Sequence, residues 1–208
     1  MTRKEKELEE EISKIWNILI YVKDCYDYSY YIHKPETSEE ADYLKNSQDF
    51  EFIRHILWRM AIIEIAKLFC NSAKRDRYNL RHFISKLKKA GQFGDSGINV
   101  TTIEKWEAQF SLNEVLINDV ITIRDKVYAH TDPNKEEYTK IEISFKKIDD
   151  LINIAEDVIR EIFKTVFDSE VDFDSPLLDK NRNNIIKILA AEKRNRIEEL
   201  ALKYRNEK

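Results

Sequence analysis

The sequence predicts an all-α protein, and three observations carry that prediction. Chain breakers are scarce, with three glycines and three prolines among 208 residues. Between them, apolar side chains recur at spacings of three and four, the period of one helix face. The turn residues that a β-sandwich or barrel needs every ~8–12 positions are missing. A composition of 42% hydrophobic and 36% charged residues excludes collagen-like, low-complexity and largely disordered chains. A chain of this size buries roughly 70% of its unfolded surface, so its core needs neither disulfide nor metal.

The elements follow from the breakers. Residues 3–32 place Leu8, Ile12, Ile15, Leu19, Val22 and Tyr26 on one stripe, predicting a long first helix. After the turn at Pro35, Ser38 followed by Glu39 and Glu40 predicts a short helix capped by the serine and ending near Ser47. Residues 50–70 are apolar on most faces and predict the central, most buried helix. Asn79 is placed to cap a helix over 80–90 that stops at Gly91. The loop GQFGDSGIN lacks the Lys-Ser/Thr pair of a phosphate loop and follows no strand, so it reads as a flexible connector. Thr101 or Thr102 then starts a helix to about Ala129, stopped by His-Thr-Asp-Pro. YTKIEIS alternates with period two and predicts a short extended arm, and residues 144–167 return to helical spacing. Ser175-Pro176 reads as the cap and first turn of a last helix. That helix is interrupted by EKRNR at 192–196, as in an exposed tail or a surface for something outside the domain. The expected organisation is a helical bundle over 1–168, then a linker and C-terminal helix over 169–208.

The charge balance excludes some functions. A net charge of −4 gives no global field for nucleic acid or anionic membranes. No apolar run approaches the roughly 18 residues of a membrane span, and MTRKEKELEEE is charged where a signal peptide needs an apolar stretch. A cytoplasmic location is therefore expected, with Cys25 and Cys70 as reduced core thiols rather than a disulfide. His33, His55, His82 and His130 lack metal-ligand spacing, so neither metal nor cofactor is expected.

One segment carries chemistry. IRDKVYAHTDP, residues 123–133, sets Arg124 six positions before His130, with Asp125 beside the arginine. Metal-free RNA cleavage needs a base for the ribose 2′-OH and a cation for the phosphate that it attacks. Imidazole titrates near neutrality and suits the first task; the always-charged guanidinium suits the second. On an ideal helix the two side chains stand about 120° and ~9 Å apart, so convergence asks the helix end to unwind or a second protomer to contribute. The alternative is helix-end capping, because cations in a last turn bond free carbonyls and favour the dipole.

The string RDKVYAH fits the R-x(4–6)-H signature of the HEPN superfamily. With the Thr-Asp that follows and IIEIAKLFCNSAKRDRYNL upstream, the chain most resembles the abortive-infection, AbiU-like branch over roughly residues 50–165. The resemblance implies a HEPN-type antiparallel helical bundle with a C-terminal helical extension. It also implies a catalytic pair of Arg124 and His130 with Asp125 or Asp132 orienting it, and a homodimer that brings two pairs together. The implied function is a metal-independent endoribonuclease of toxin or phage-defence type, acting on RNA and regulated by an antitoxin or other protein. The alternative is a non-catalytic HEPN module binding a partner protein or nucleotide. Toxins of this superfamily that pair with a nucleotidyltransferase antitoxin carry a tyrosine two residues beyond the histidine, where this chain has Asp132.

Three further features remain open on sequence alone. Lys74, Arg75, Arg77, Arg81, Lys86, Lys88 and Lys89 face one acid, Asp76, within 73–90. This is either an RNA-binding patch centred on Arg75, Arg77 and Arg81 or a solvated face. Glu64 needs a partner, either Arg124 or Lys67. Tyr26, Tyr28, Tyr30 and Tyr31 either stack bases or pack between helices.

Overall fold

The computed structural model describes residues 2–72, 76–128, 135–138, 140–174 and 185–206. Its helices are α1 (Arg3–His33), α2 (Ser38–Leu44), α3 (Gln48–Phe69), α4 (Leu80–Leu87), α5 (Val100–Leu112), α6 (Glu114–Ile123), α7 (Lys135–Tyr138), α8 (Phe145–Phe167) and α9 (Ile185–Asn206). A π-helical turn, Arg124–Tyr128, follows α6. No strand occurs among the described residues, so the fold is all-α. None of the described helices is long and apolar enough to cross a membrane. The Ser175-Pro176 start expected for the last helix lies outside the described residues.

Local chemistry explains where the boundaries depart from expectation. α2 is capped by Thr37, not Ser38: the Thr37 hydroxyl accepts from the Glu40 N–H, and the Glu40 carboxylate accepts from the Thr37 N–H. Only Thr37 has a glutamate three residues on, whereas Ser38 would meet Ala41. Asn99, rather than Thr101 or Thr102, caps the next helix by accepting from Thr101. The single helix expected up to Ala129 is broken at Asn113, where Ser111 and Asn113 donate back to the carbonyls of Glu107 and Gln109 at 2.9 Å each. The expected extended arm forms no strand over 141–144, since no neighbouring strand completes a ladder, and Ser144 instead caps α8.

The chain divides into two compact units, Met1–Lys23 with Arg59–Asp174, and Asp24–Trp58 with Ser175–Lys208. In the first, the stripe of α1 (Leu8, Ile12, Ile15, Leu19, Val22) is buried, as are Ile148, Leu151, Ala155, Val158, Ile159 and Ile162 of α8. Cys70 is a buried free thiol here. In this unit α3 buries Ala61, Ile62, Ile65, Ala66, Leu68 and Phe69; its first half belongs to the second unit, where Phe52, Ile53 and Ile56 are exposed, so that half is not the buried centre that its apolar content suggested. The glycine loop is anchored rather than free: Phe93 is 1% exposed, lies against Phe83, and donates its N–H to Lys86 O at 2.7 Å. Helix α4 stops at Leu87, short of Gly91; a Cβ on Gly91 would meet Lys86 O at 2.4 Å.

In the second unit, Ile186 of α9 is buried with Tyr31, Ile32, Leu44 and Phe50, and Tyr28, Tyr43, Leu57 and Leu189 pack around them. Cys25 is buried in this unit and is not in a disulfide. Of the four clustered tyrosines of α1, Tyr26 and Tyr31 are buried, exposed Tyr30 stacks on Tyr26, and burial raises the Tyr28 phenol above its ordinary pKa. Helix α9 joins α2 through its first turns, and Arg194 pairs with Glu39 at 2.6 Å. From Glu192 to Arg205 its side chains are exposed.

Candidate functional site

Arg124 opens the π-helical turn at the point where α6 ceases to be α-helical. Upstream, Ile117, Val120 and Ile123 bury the inner face of α6, which carries the next side chain inward. Arg124 is only 7% exposed. A buried guanidinium needs partners, and it has two. Its Nε donates to Asp125 Oδ1 at 2.8 Å and its Nη1 to Asp76 Oδ2 at 2.9 Å. Burial works against the charge, but the hydrogen bonds and charges of Asp125 and Asp76 outweigh it and hold the group above its ordinary, already high pKa.

Asp76 is itself held in place. Its N–H donates to Ser72 O at 3.0 Å, and its carbonyl accepts from Asn79 Nδ2 at 2.6 Å. Asn79 is buried and uses its Oδ1 to cap α4, accepting from His82 N at 2.7 Å. The start of α4 and the end of α6 are thereby joined through one aspartate, by its backbone carbonyl on Asn79 and its carboxylate on Arg124. The π-turn gains a second tie from α3: exposed Arg59 donates to Tyr128 O and stacks over the Tyr128 ring at 5.6 Å. Lys126 lies over Tyr138 at 5.7 Å.

Of the residues expected from sequence, Arg124 and Asp125 are thus in direct contact. His130 and Asp132 lie outside the described residues, as do Lys74 and Arg75. In the basic run, Arg77 is exposed over Tyr78, whereas Arg81 is ion-paired with Glu114 and stacked over Phe110 at 5.4 Å. Lys86 pairs with Glu11 at 2.6 Å and Lys88 with Glu107 at 2.6 Å. Three of the five described cations of the run are therefore answered by acids from α1, α5 and α6. Glu64 takes Lys67, at 2.5 Å, as its partner.

Two residues at this site were not expected from the sequence. Asp76 had a signal, as the one acid in a basic run next to a capping asparagine. Arg59 had none, since it meets the turn across 69 positions of chain. Among the described residues no group of three or more His, Cys, Asp or Glu is arranged to hold a metal.

No curated protein and no solved structure matches the chain. Residues 5–186 match the family HEPN_AbiU2, described as AbiU2. The match runs from the first turn of α1 to the start of α9, well beyond the 50–165 on which the resemblance rested, and includes the whole Arg124 site. The protein belongs to the AbiU2 family of the HEPN superfamily, a family associated with abortive infection.

Proposed function

We propose that this abortive-infection HEPN protein is a metal-independent endoribonuclease whose site is built on the π-turn that links Arg124 to the His130 segment. The observation that carries the reading is a buried, permanently charged arginine at the head of a π-turn, clamped by Asp76 and Asp125. Single π-turns interrupting helices recur at functional sites, and taking a guanidinium out of water costs several kcal/mol before its partners repay it. In the proposed reaction His130 takes the proton of a ribose 2′-OH. The 2′-oxygen attacks the adjacent phosphorus, the P–O5′ bond breaks, and the 5′-oxygen leaves with a proton from solvent water, to which His130 in turn gives up the proton it took. The products are a 2′,3′-cyclic phosphate and a 5′-hydroxyl.

Arg124 meets the charge that develops on the phosphoryl oxygens by exchanging Asp125, the more exposed of its carboxylates at 28% against 15% for Asp76, while Asp76 stays as the anchor. Arg59 of α3, exposed and bonded to the carbonyl of Tyr128 in that turn, adds a second cation. The site is proposed to act in a homodimer, two turns facing one RNA. Cleavage of a fluorescent oligoribonucleotide tests the reading. His130→Ala should slow it by roughly 10²–10⁴, EDTA should leave it unchanged, and a single 2′-deoxyribose at the cleaved position should block it. Full activity in His130→Ala would refute it.

One observation favours the second reading, a non-catalytic HEPN module. Arg124 with two carboxylates leaves a local charge of −1, which repels phosphate unless Asp125 gives way. In that case wild type would not cleave RNA, and Asp125→Asn would not raise its RNA affinity.

A further inference from the structure

The last half of α9 carries an apolar strip that is exposed among the described residues. Ile197, Leu200 and Tyr204 are spaced by three and four, so they fall within roughly 60° of one another on the helix. They are 57%, 48% and 70% exposed. The same stripe, followed back, contains Ile186 and Ala190, which are buried, and Lys193, whose ammonium lies over Tyr43 at 5.7 Å. The exposed seam is therefore the continuation of a covered one. It also lies beyond residue 186, where the family match ends.

The charges beside the seam are of one sign. Arg194 and Arg205 border it on one side and Arg196 and Lys203 on the other, while Glu192, Glu198 and Glu199 stand further round the helix. Arg194 is the one of these four cations that pairs with α2, through Glu39. We propose that this seam docks an acidic amphipathic helix of a partner protein, one with apolar residues at heptad spacing and carboxylates on both flanks.

Three alternatives fit the side chains less well. A lipid surface calls for a broad apolar face with a basic polar face; here the apolar strip is narrow, as in a coiled-coil seam, and the opposite face carries glutamates. A second copy of α9, parallel or antiparallel, would set cation against cation along both flanks. The acid-rich α1 of a second copy has its own stripe, Leu8, Ile12 and Ile15, already buried. Aliphatic Ile197 and Leu200 offer bases no stacking surface.

The test uses the full chain and two designed peptides of about four heptads with leucine at the a and d positions. One carries glutamate at e and g, the other lysine. Fluorescence anisotropy should show the glutamate peptide binding at least ~10-fold more tightly than the lysine peptide, less so at high salt. The double variant Ile197→Asp/Leu200→Asp should lose that binding at least ~10-fold with an unchanged thermal midpoint, because both sites are exposed. Equal binding of the two peptides, or none, overturns the proposal. So does a finding that this variant instead abolishes binding to phosphatidylserine vesicles or to RNA, or converts a dimer to a monomer in light scattering.

Discussion

Removing Asp76 tests the central clamp most directly. Asp76→Ala takes one of two charge-assisted hydrogen bonds from Arg124, a contact worth roughly 1.5–3 kcal/mol. Both side chains are well shielded, at 9% and 15% exposure, so solvent screening discounts this little. The loss stays below the ~3–5 kcal/mol of a fully orphaned buried charge, because Asp125 still holds the Nε. About 2–3 kcal/mol in a chain of this length lowers the thermal midpoint by roughly 5–10 °C, followed by far-ultraviolet circular dichroism. Asp125→Ala removes the more exposed partner and should cost about half as much. The coupling gives a sharper signature. In an Arg124→Met background Asp76 is a buried carboxylate without its guanidinium, so Asp76→Ala should there be neutral or stabilising. A midpoint shift under ~1 °C in the single variant, or an equal loss in both backgrounds, would refute the clamp.

Arg59→Gln should weaken binding of an uncleavable 2′-deoxy-substituted oligonucleotide and lower its log–log salt slope by about 0.7, one phosphate contact on a single strand; an unchanged slope would make Arg59 a cap on Tyr128 O only. Arg77→Gln should do the same if the exposed end of the basic run tracks RNA, whereas Lys86→Gln and Lys88→Gln should not, their charges being spent on Glu11 and Glu107. Gly91→Ala should cost about 2 kcal/mol and several degrees in thermal midpoint, because its Cβ would meet backbone at Lys86 that cannot yield. Arg124 has its pKa raised by its carboxylates, so the stability it contributes is complete below the unfolded value and is lost only as pH rises through the higher folded one. Stability between about pH 6 and 9 should therefore show no slope from Arg124, and a cleavage limb rising through neutrality would belong to an imidazole.

Helix existence was legible in this chain because periodicity is a property of consecutive residues. The stripes of α1 and α8 are the buried faces in the structure. Boundaries were less legible where side chains compete for the same backbone groups. Thr37 outranks Ser38 because it reciprocates with Glu40, and Asn113 ends α5 by bonding back to Gln109 O. The short α7 was invisible, since four residues carry no period. The first half of α3 misled for another reason: apolar content reports what can be buried, not how much surface a neighbour offers.

Charge was the hardest quantity to read, because sequence gives its amount and not its pairing. The run over 73–90 looked like a concentrated positive field, yet Lys86, Lys88 and Arg81 each meet an acid from another helix. The lone acid of that run, which looked like a minor dilution of the field, is the anchor of the site. The same reasoning changes how the Arg-x5-His pattern should be understood. Spacing alone presents Arg124 as an available cation, while the structure gives it two carboxylates, so its reach toward a phosphate depends on whether Asp125 releases it. Asp125→Asn separates these possibilities. It keeps an oxygen that can accept from Nε but removes the competing charge, and so should raise RNA affinity if Arg124 binds phosphate. If Arg124 only fixes the turn, the affinity should not move.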